Sequence, residues 1–214
     1  MASEIFNLHP ETPELRKIDK VVEAMVAGAV ILYPTDTGFS LGCSLGNKEG
    51  ISRIRRIRNL PDTTFLTFLC ASLSNISEFA QVNNKAYRTI KALIPGPFTF
   101  ILPASKNVPR YAQNPKRKTA GIRVPDHVLS QLLLMKLGSP IIAISAKISD
   151  DDIVHKPEDI ISYFSPLVDI AVRSEIYSFT GESTIIDMTT SDFNVIRHGA
   201  GITKVLEFVD LEED

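Results

Sequence analysis

Short apolar runs alternate with apolar residues at helical spacing along this chain, and the alternation predicts strands and helices in turn. Val30-Ile-Leu-Tyr33 reads as a strand covered on both faces, and Pro34, which has no N–H for a ladder, is expected to end it. Ahead of it, Thr12-Pro13-Glu14 offers an N-cap hydroxyl, a proline for the first helical position and an acid for the first turn; Leu15, Ile18, Val22 and Met25 follow at helical spacing up to Gly28. Behind it, Phe39, Leu41 and Cys43 alternate with small residues, and Asn47 is placed to cap a helix with Ile51, Ile54 and Ile57 inward. Leu60-Pro61-Asp62 stops that helix, and Thr64 to Cys70 forms the next buried strand.

Two helices follow, Leu73 to Phe79 and, capped by Asn83, Ala86 to Leu93, before Ile94-Pro-Gly-Pro turns the chain into a strand ending at Pro103. Residues 104–119 read as an exposed, mobile, basic excursion. Ala120 to Pro125 returns to the sheet with Arg123 on the opposite face from Ile122 and Val124. Asp126 then caps a helix with Leu129, Leu132, Leu133 and Met135 inward and Gly138 closing it. A nearly apolar strand from Pro140 to Lys147, a turn at Asp150-Asp151-Asp152 and a helix from Pro157 to Phe164 come next. Strands near Leu167 to Val172, Ser183 to Met188 and Phe193 to Arg197, a flexible turn at Arg197 to Gly201 and a fraying end at Leu211 to Asp214 complete the chain. The pattern predicts an α/β fold over residues 1–214: one domain with flanking helices and a twisted sheet that is mainly parallel or mixed.

Composition adds little until charge is sorted by position. With 44% hydrophobic and 22% charged residues, 214 residues suffice for one sizeable core. Residues 53–125 hold 13 basic residues against 2 acidic, whereas residues 126–214 hold 6 against 16. Such a basic block is costly unless something negative offsets it, and two things can: the acidic C-terminal third or an anionic ligand. Cys43 and Cys70 have no disulfide framework or C-x-x-C spacing around them, the opening residues lack a signal-peptide pattern, and no apolar run is long enough to cross a bilayer. A cytoplasmic protein with no membrane partner is expected.

The chemistry these residues suggest is anion recognition. The sequence has no G-x-x-x-x-G-K-[ST] loop, no G-x-G-x-x-G and no H-E-x-x-H, and its four histidines are scattered singly. The three consecutive aspartates make a poor metal site, so no metal ligands are assigned, and no residue is assigned as a catalytic acid or base. What recurs is a strand end that sets a hydroxyl beside a cation: Thr35, Ser145, Ser183 and Thr184 with Arg58, Arg123, Lys147 and Arg197. Hydroxyls and guanidinium forks donate to phosphate or carboxylate oxygens without a titratable base. Arg53 and Arg56 on the first basic helix, with Arg110, Lys116, Arg117 and Lys118 on the basic excursion, are candidates for RNA phosphates.

Five segments in order carry a resemblance: Pro34-Thr-Asp-Thr-Gly-Phe-Ser-Leu-Gly42, Pro95-Gly-Pro-Phe-Thr99, Gly121-Ile-Arg-Val-Pro125, Ser183-Thr-Ile-Ile-Asp187 and Ile196-Arg-His-Gly-Ala200. Together they resemble the YrdC-like domain family, and most closely its YciO branch. The resemblance implies a twisted, open, mixed sheet with a positively charged concave face, binding of nucleotide and of RNA, either double-stranded RNA or tRNA, and synthesis of L-threonylcarbamoyladenylate from threonine, bicarbonate and ATP with Mg²⁺. It further implies that Thr35 and Arg123 hold threonine and that Arg58, Ser145, Ser183 and Arg197 surround the nucleotide. The chain departs from the synthase pattern in two places. A Lys-x-Arg pair is replaced by Arg58-Asn-Leu60, and a Ser-x-Asn is replaced by Ser145-Ala-Lys147. The expectation is therefore a nucleotide- and RNA-binding protein, with a weakened or altered synthase as the alternative.

Overall fold

Strand pairing organises the chain. The computed structural model describes residues 3–61, 64, 66–114, 116–149 and 156–209. Its strands are β1 (Glu4–Leu8), β2 (Ile31–Thr35), β3 (Gly38–Ser44), β4 (Thr67–Leu69), β5 (Phe98–Pro103), β6 (Thr119–Arg123), β7 (Ile141–Ser145), β8 (Ile170–Ser174), β9 (Thr184–Asp187) and β10 (Asn194–Arg197). The helices are α1 (Leu15–Val26), α2 (Lys48–Ile57), α3 (Leu73–Phe79), α4 (Asn84–Leu93), α5 (Val128–Leu137), α6 (Pro157–Phe164) and α7 (Ile202–Val205). All ten strands join one mixed sheet in the order β1-β8-β2-β3-β7-β4-β6-β5-β9-β10.

The two sheet faces are covered unequally, and this creates the site. On one face Leu32, Leu41, Phe68, Phe100, Ile122 and Ile142 pack beneath α2, α3, α4 and α6 in a core that runs across most of the sheet. On the other, α1 (Ile18, Val21, Met25) and α5 (Leu129, Leu133, Leu134) cover Phe6, Leu8, Ile31, Tyr33, Ile141 and Val172. That second cover stops at Leu69 and Ala143, so the same face of β4, β6, β5 and β9 lies open beyond them.

Several boundaries follow local chemistry. Asn47 Oδ1 accepts from Gly50 N at 2.8 Å and caps α2, and Asn83 Oδ1 does the same for Ala86 N at 2.8 Å in α4. Gly138 ends α5 at φ 68°, a left-handed conformation that glycine adopts without strain. Other boundaries differ from the sequence expectation. Pro34 lies within β2, because β8 pairs only with Ile31 and Leu32 and leaves that edge open; the Pro34 carbonyl accepts from Ser130 Oγ at 2.6 Å instead of a ladder partner. The α1 helix begins three residues past Thr12, whose N–H and hydroxyl are engaged by His9 Nδ1, and Leu15 is exposed. Asp126 does not cap α5, and Met135 points to solvent because the buried stripe runs through Leu129, Ser130, Leu133 and Leu134. Glu4–Leu8, which the pattern left unassigned, forms an edge strand parallel to β8.

Residues 104–114 and 116–119 are seated on the core rather than detached from it. Val108 and Ala112 are buried, Tyr111 Oη donates to Leu45 O at 3.2 Å, and Ser105 Oγ donates to Glu78 O at 2.7 Å. The apolar residues between the cations anchor the segment, while Lys106, Arg110, Lys116, Arg117 and Lys118 stay exposed. The turn at Asp150-Asp151-Asp152, the C-terminal Leu211 to Asp214 and parts of the Pro61 to Phe65 stretch lie outside the described residues. Among the described residues, no helix is long and apolar enough to cross a membrane.

Candidate functional site

The open half of the sheet carries a cleft of about 250 Å³. Alternation along each strand decides what lines it. Phe68, Phe100 and Ile122 point into the covered core, so Thr67, Thr99, Gly121 and Arg123 point the other way, beside Ser145, Ser183 and Arg197. A groove of about 600 Å³ continues from the cleft past Phe39, Lys147, Phe179, Glu182 and His198. Thr37 and Ser145 line both cavities, which makes them one connected site.

Arg123 is fixed at the inner end. It is 5% exposed; Nε donates to Gly96 O at 3.4 Å, Nη1 to Thr37 Oγ1 at 2.5 Å, and Nη2 to Asp36 Oδ1. Three of the five guanidinium N–H groups are thus committed, and two remain for a ligand. Burial lowers the Arg123 pKa from its ordinary value, and the Asp36 carboxylate pushes it back. Asp36 is equally buried, and its Oδ2 has no hydrogen-bond partner among the described residues.

At the outer end the polar groups form a chain. Thr99 Oγ1 and Ser183 Oγ are 2.9 Å apart, and Arg197 donates from Nη2 to Ser183 Oγ and from Nε to Ser183 O, both at 3.0 Å. Glu182 pairs with Arg197 Nη1 at 3.1 Å and also with Lys147 Nζ. Arg58 Nε donates to Ser145 O at 3.0 Å, so this arginine supports the strand end carrying Ser145.

The structure therefore gathers Arg123, Ser145, Lys147, Ser183 and Arg197 around one connected site, with Arg58 behind it. Thr35 is a different case. It is fully buried and lines neither cavity; its hydroxyl donates to Gly38 O at 2.7 Å and accepts from Thr37 N at 3.2 Å, closing the β2–β3 turn. The hydroxyl presented to the cleft from this motif is that of Thr37. Leu60 packs against the core and stands apart from the cleft.

The RNA candidates divide. Arg53 is engaged by Asp169 at 2.6 Å and by Leu167 O at 2.7 Å, and Arg117 lines the cleft 3.7 Å from Asp187. Burial raises the Asp169 pKa, but the Arg53 guanidinium and the Val30 N–H outweigh it and leave the carboxyl below its ordinary value. The acidic C-terminal third thus offsets part of the basic block. Arg56, Arg110, Lys116 and Lys118 are exposed. The polar exit of the first buried strand offered Asp36 and Thr37 beside Thr35, but residue types alone did not single out Thr99 or Glu182 for the site, although Thr99 lies in a segment that carried the family resemblance. Among the described residues, no group of three or more His, Cys, Asp or Glu could hold a metal ion.

The Sua5/YciO/YrdC family model, described as telomere recombination, matches residues 23–199. YciO of Escherichia coli is 39% identical over 203 residues, 94% of this chain and 98% of YciO. The chain belongs to the Sua5/YciO/YrdC family. Its fold follows that of the E. coli YciO crystal structure with a TM-score of 0.89 at 38% identity, covering 97% of this chain and 100% of YciO. More distant members include the threonylcarbamoyl-AMP synthase of Vibrio campbellii, 27% identical over 188 residues, 86% of this chain and 100% of the synthase. The crystal structure of P. abyssi Sua5 complexed with L-threonine gives a TM-score of 0.87 at 26% identity, covering 98% of this chain and 63% of Sua5.

Proposed function

We propose that this member of the family binds a nucleotide in the connected cleft and groove and meets RNA, double-stranded RNA or tRNA, through the exposed cations beside it. The observation that carries the nucleotide reading is the convergence of Thr99, Ser145, Ser183, Arg197 and Lys147 around one open half-sheet. These groups donate to phosphate oxygens and need no proton transfer to do so. ATP fits this donor set; Asp36 and Glu182 are already engaged by cations, so the Mg²⁺ that the synthase reading below calls for would be held by the phosphates. When bound, the metal neutralises phosphate charge, and the chain's own residues hold and orient the phosphates.

Exposed Arg56, Arg110, Lys116 and Lys118 supply the RNA contacts, with Arg117 joining them at the cleft rim. Binding through phosphates falls steeply with salt, by roughly 0.7–0.9 in log K per log salt for each phosphate neutralised. Calorimetry with ATP, and RNA titrations at two salt concentrations, test this reading. ATP binding together with a salt slope of about 3 or more supports it; a protein that binds neither ATP nor RNA refutes it.

A second reading, threonylcarbamoyl-AMP synthesis, is favoured by the buried Arg123 with its two uncommitted N–H groups, which suit an amino-acid carboxylate, and by the likeness to threonine-bound Sua5. Against it stand Leu60, which donates nothing, and Lys147 in place of an amide. Pyrophosphate release dependent on both threonine and bicarbonate, and abolished by Arg123→Ala, would establish the synthase; silence at saturating substrate would exclude it.

A further inference from the structure

The segment from Glu175 to Glu182 leads from β8 towards β9, and its last four residues, Phe179 to Glu182, line the groove. Its backbone is pinned. Thr180 N and Oγ1 donate to Asp36 O at 2.8 and 3.0 Å, and Tyr177 and Phe179 pack on Phe39 with ring centroids 5.1 and 5.5 Å away. Ala200 N donates to Glu182 O at 2.7 Å, and a Cβ on Gly199 would fall 2.4 Å from that oxygen, so only glycine lets the chains approach this closely. The Glu182 side chain is held differently. It is 44% exposed and reaches between Lys147 and Arg197, which are 37% and 36% exposed. Arg197 lines the cleft while Lys147 and Glu182 line the groove, so the carboxylate stands where the two cavities meet.

Ion pairs as solvated as these hold weakly, because water and salt screen them. The carboxylate offers one charge and two oxygens. A terminal phosphoryl group offers about two charges and three oxygens, and it arrives without having to span a fixed backbone. We propose that Glu182 is a specificity-determining residue of this site: an internal anion that occupies Lys147 and Arg197 until a phosphoryl group displaces it, so that polyphosphates are admitted and singly charged carboxylates are not. The inference rests on the nucleotide reading given above. It also assigns a role to Lys147, which supplies the second cation that Glu182 spans and a phosphoryl group takes over.

The test is calorimetry of the full chain with ATP and with inorganic pyrophosphate, on the wild type, Glu182→Gln and Glu182→Ala, with melting curves recorded for each. Both variants are expected to bind either ligand roughly tenfold tighter, about 1.4 kcal/mol, and acetate is expected to compete with pyrophosphate in the variants but not in the wild type. Adding Lys147→Met to Glu182→Gln should remove most of the gain. Persistence of the gain without Lys147 would mark a general charge effect and overturn the proposal. Binding of ATP by the wild type with equal or weaker binding by both Glu182 variants would overturn it while leaving the nucleotide reading standing. Absence of ATP binding in all three proteins would overturn both.

Discussion

Removing Asp36 should test whether the inner end of the cleft is held by charge. Asp36 and Arg123 are each 5% exposed, and among the described residues the other acceptors of Arg123 are Thr37 Oγ1 and Gly96 O. In Asp36→Ala the guanidinium stays buried, since β6 fixes its backbone, but loses its counter-charge. Deleting one partner of a buried pair costs about 3–5 kcal/mol. For a chain of this size that corresponds to a fall in melting temperature of roughly 6–20 °C, at about 2–4 °C per kcal/mol. Arg123→Met should cost a similar amount, because it strands a carboxylate whose Oδ2 already lacks a partner. The double variant should cost clearly less than the two singles together, with a coupling of about 2–3 kcal/mol. Urea unfolding of all four proteins measures the cycle. Additive singles, with coupling under about 0.5 kcal/mol, would refute the claim that the pair acts as a unit.

Three further outcomes are expected. Asn47→Ala should lose the α2 cap and the bond from Nδ2 to Gly28 O at 2.7 Å, costing about 1–2 kcal/mol in urea unfolding; an unchanged midpoint would contradict the capping role. Thr99→Val should leave Ser183 Oγ with Arg197 alone and cost about 1 kcal/mol of stability while weakening ATP binding in calorimetry; unaltered ATP affinity would remove Thr99 from the site. Burial lowers the His127 pKa below its ordinary 6.5, against the opposing pull of Asp36 and Asp126, so the folded state favours the neutral ring. Its contribution to stability is intact above roughly pH 6.5 and declines as pH falls from there towards the lowered folded-state value; His127→Phe should therefore show a smaller loss of stability between neutral and mildly acidic pH than the wild type, measured by urea midpoints.

What could be read from residues alone was the chemistry that is settled locally. Asn47 and Asn83 cap the helices that follow them, α3 and α6 have the expected bounds, and Gly138 closes α5, because each depends on a few neighbours in sequence. Pro34 misled because its tolerance in a strand depends on where β8, more than a hundred residues away, stops pairing. Glu4–Leu8 escaped notice because an edge strand buries only Phe6 and Leu8 and shows little periodicity. Arg123, Ser145, Lys147, Ser183 and Arg197 do converge, yet Thr35 and Thr37 sit two residues apart in one motif. Only the turn geometry decides which hydroxyl is spent on the backbone and which faces the cleft. Asp36 could be placed at the polar strand exit, but its pairing with Arg123, like the part played by Glu182, could not be read, because ion pairing across the sheet leaves no mark in spacing.

The half-sheet that α1 and α5 leave bare has one more implication. Strands β4, β6, β5 and β9 have a helical roof on one side only, so a bound molecule would supply their second roof. Amide exchange in those four strands should slow on loading, while β8, already covered on both faces by Ala171 on one side and Ile170 and Val172 on the other, should hardly respond. A scaffold with a vacant tier can also accept a different cargo by changing the few side chains that floor it, without rebuilding the layers that keep it folded.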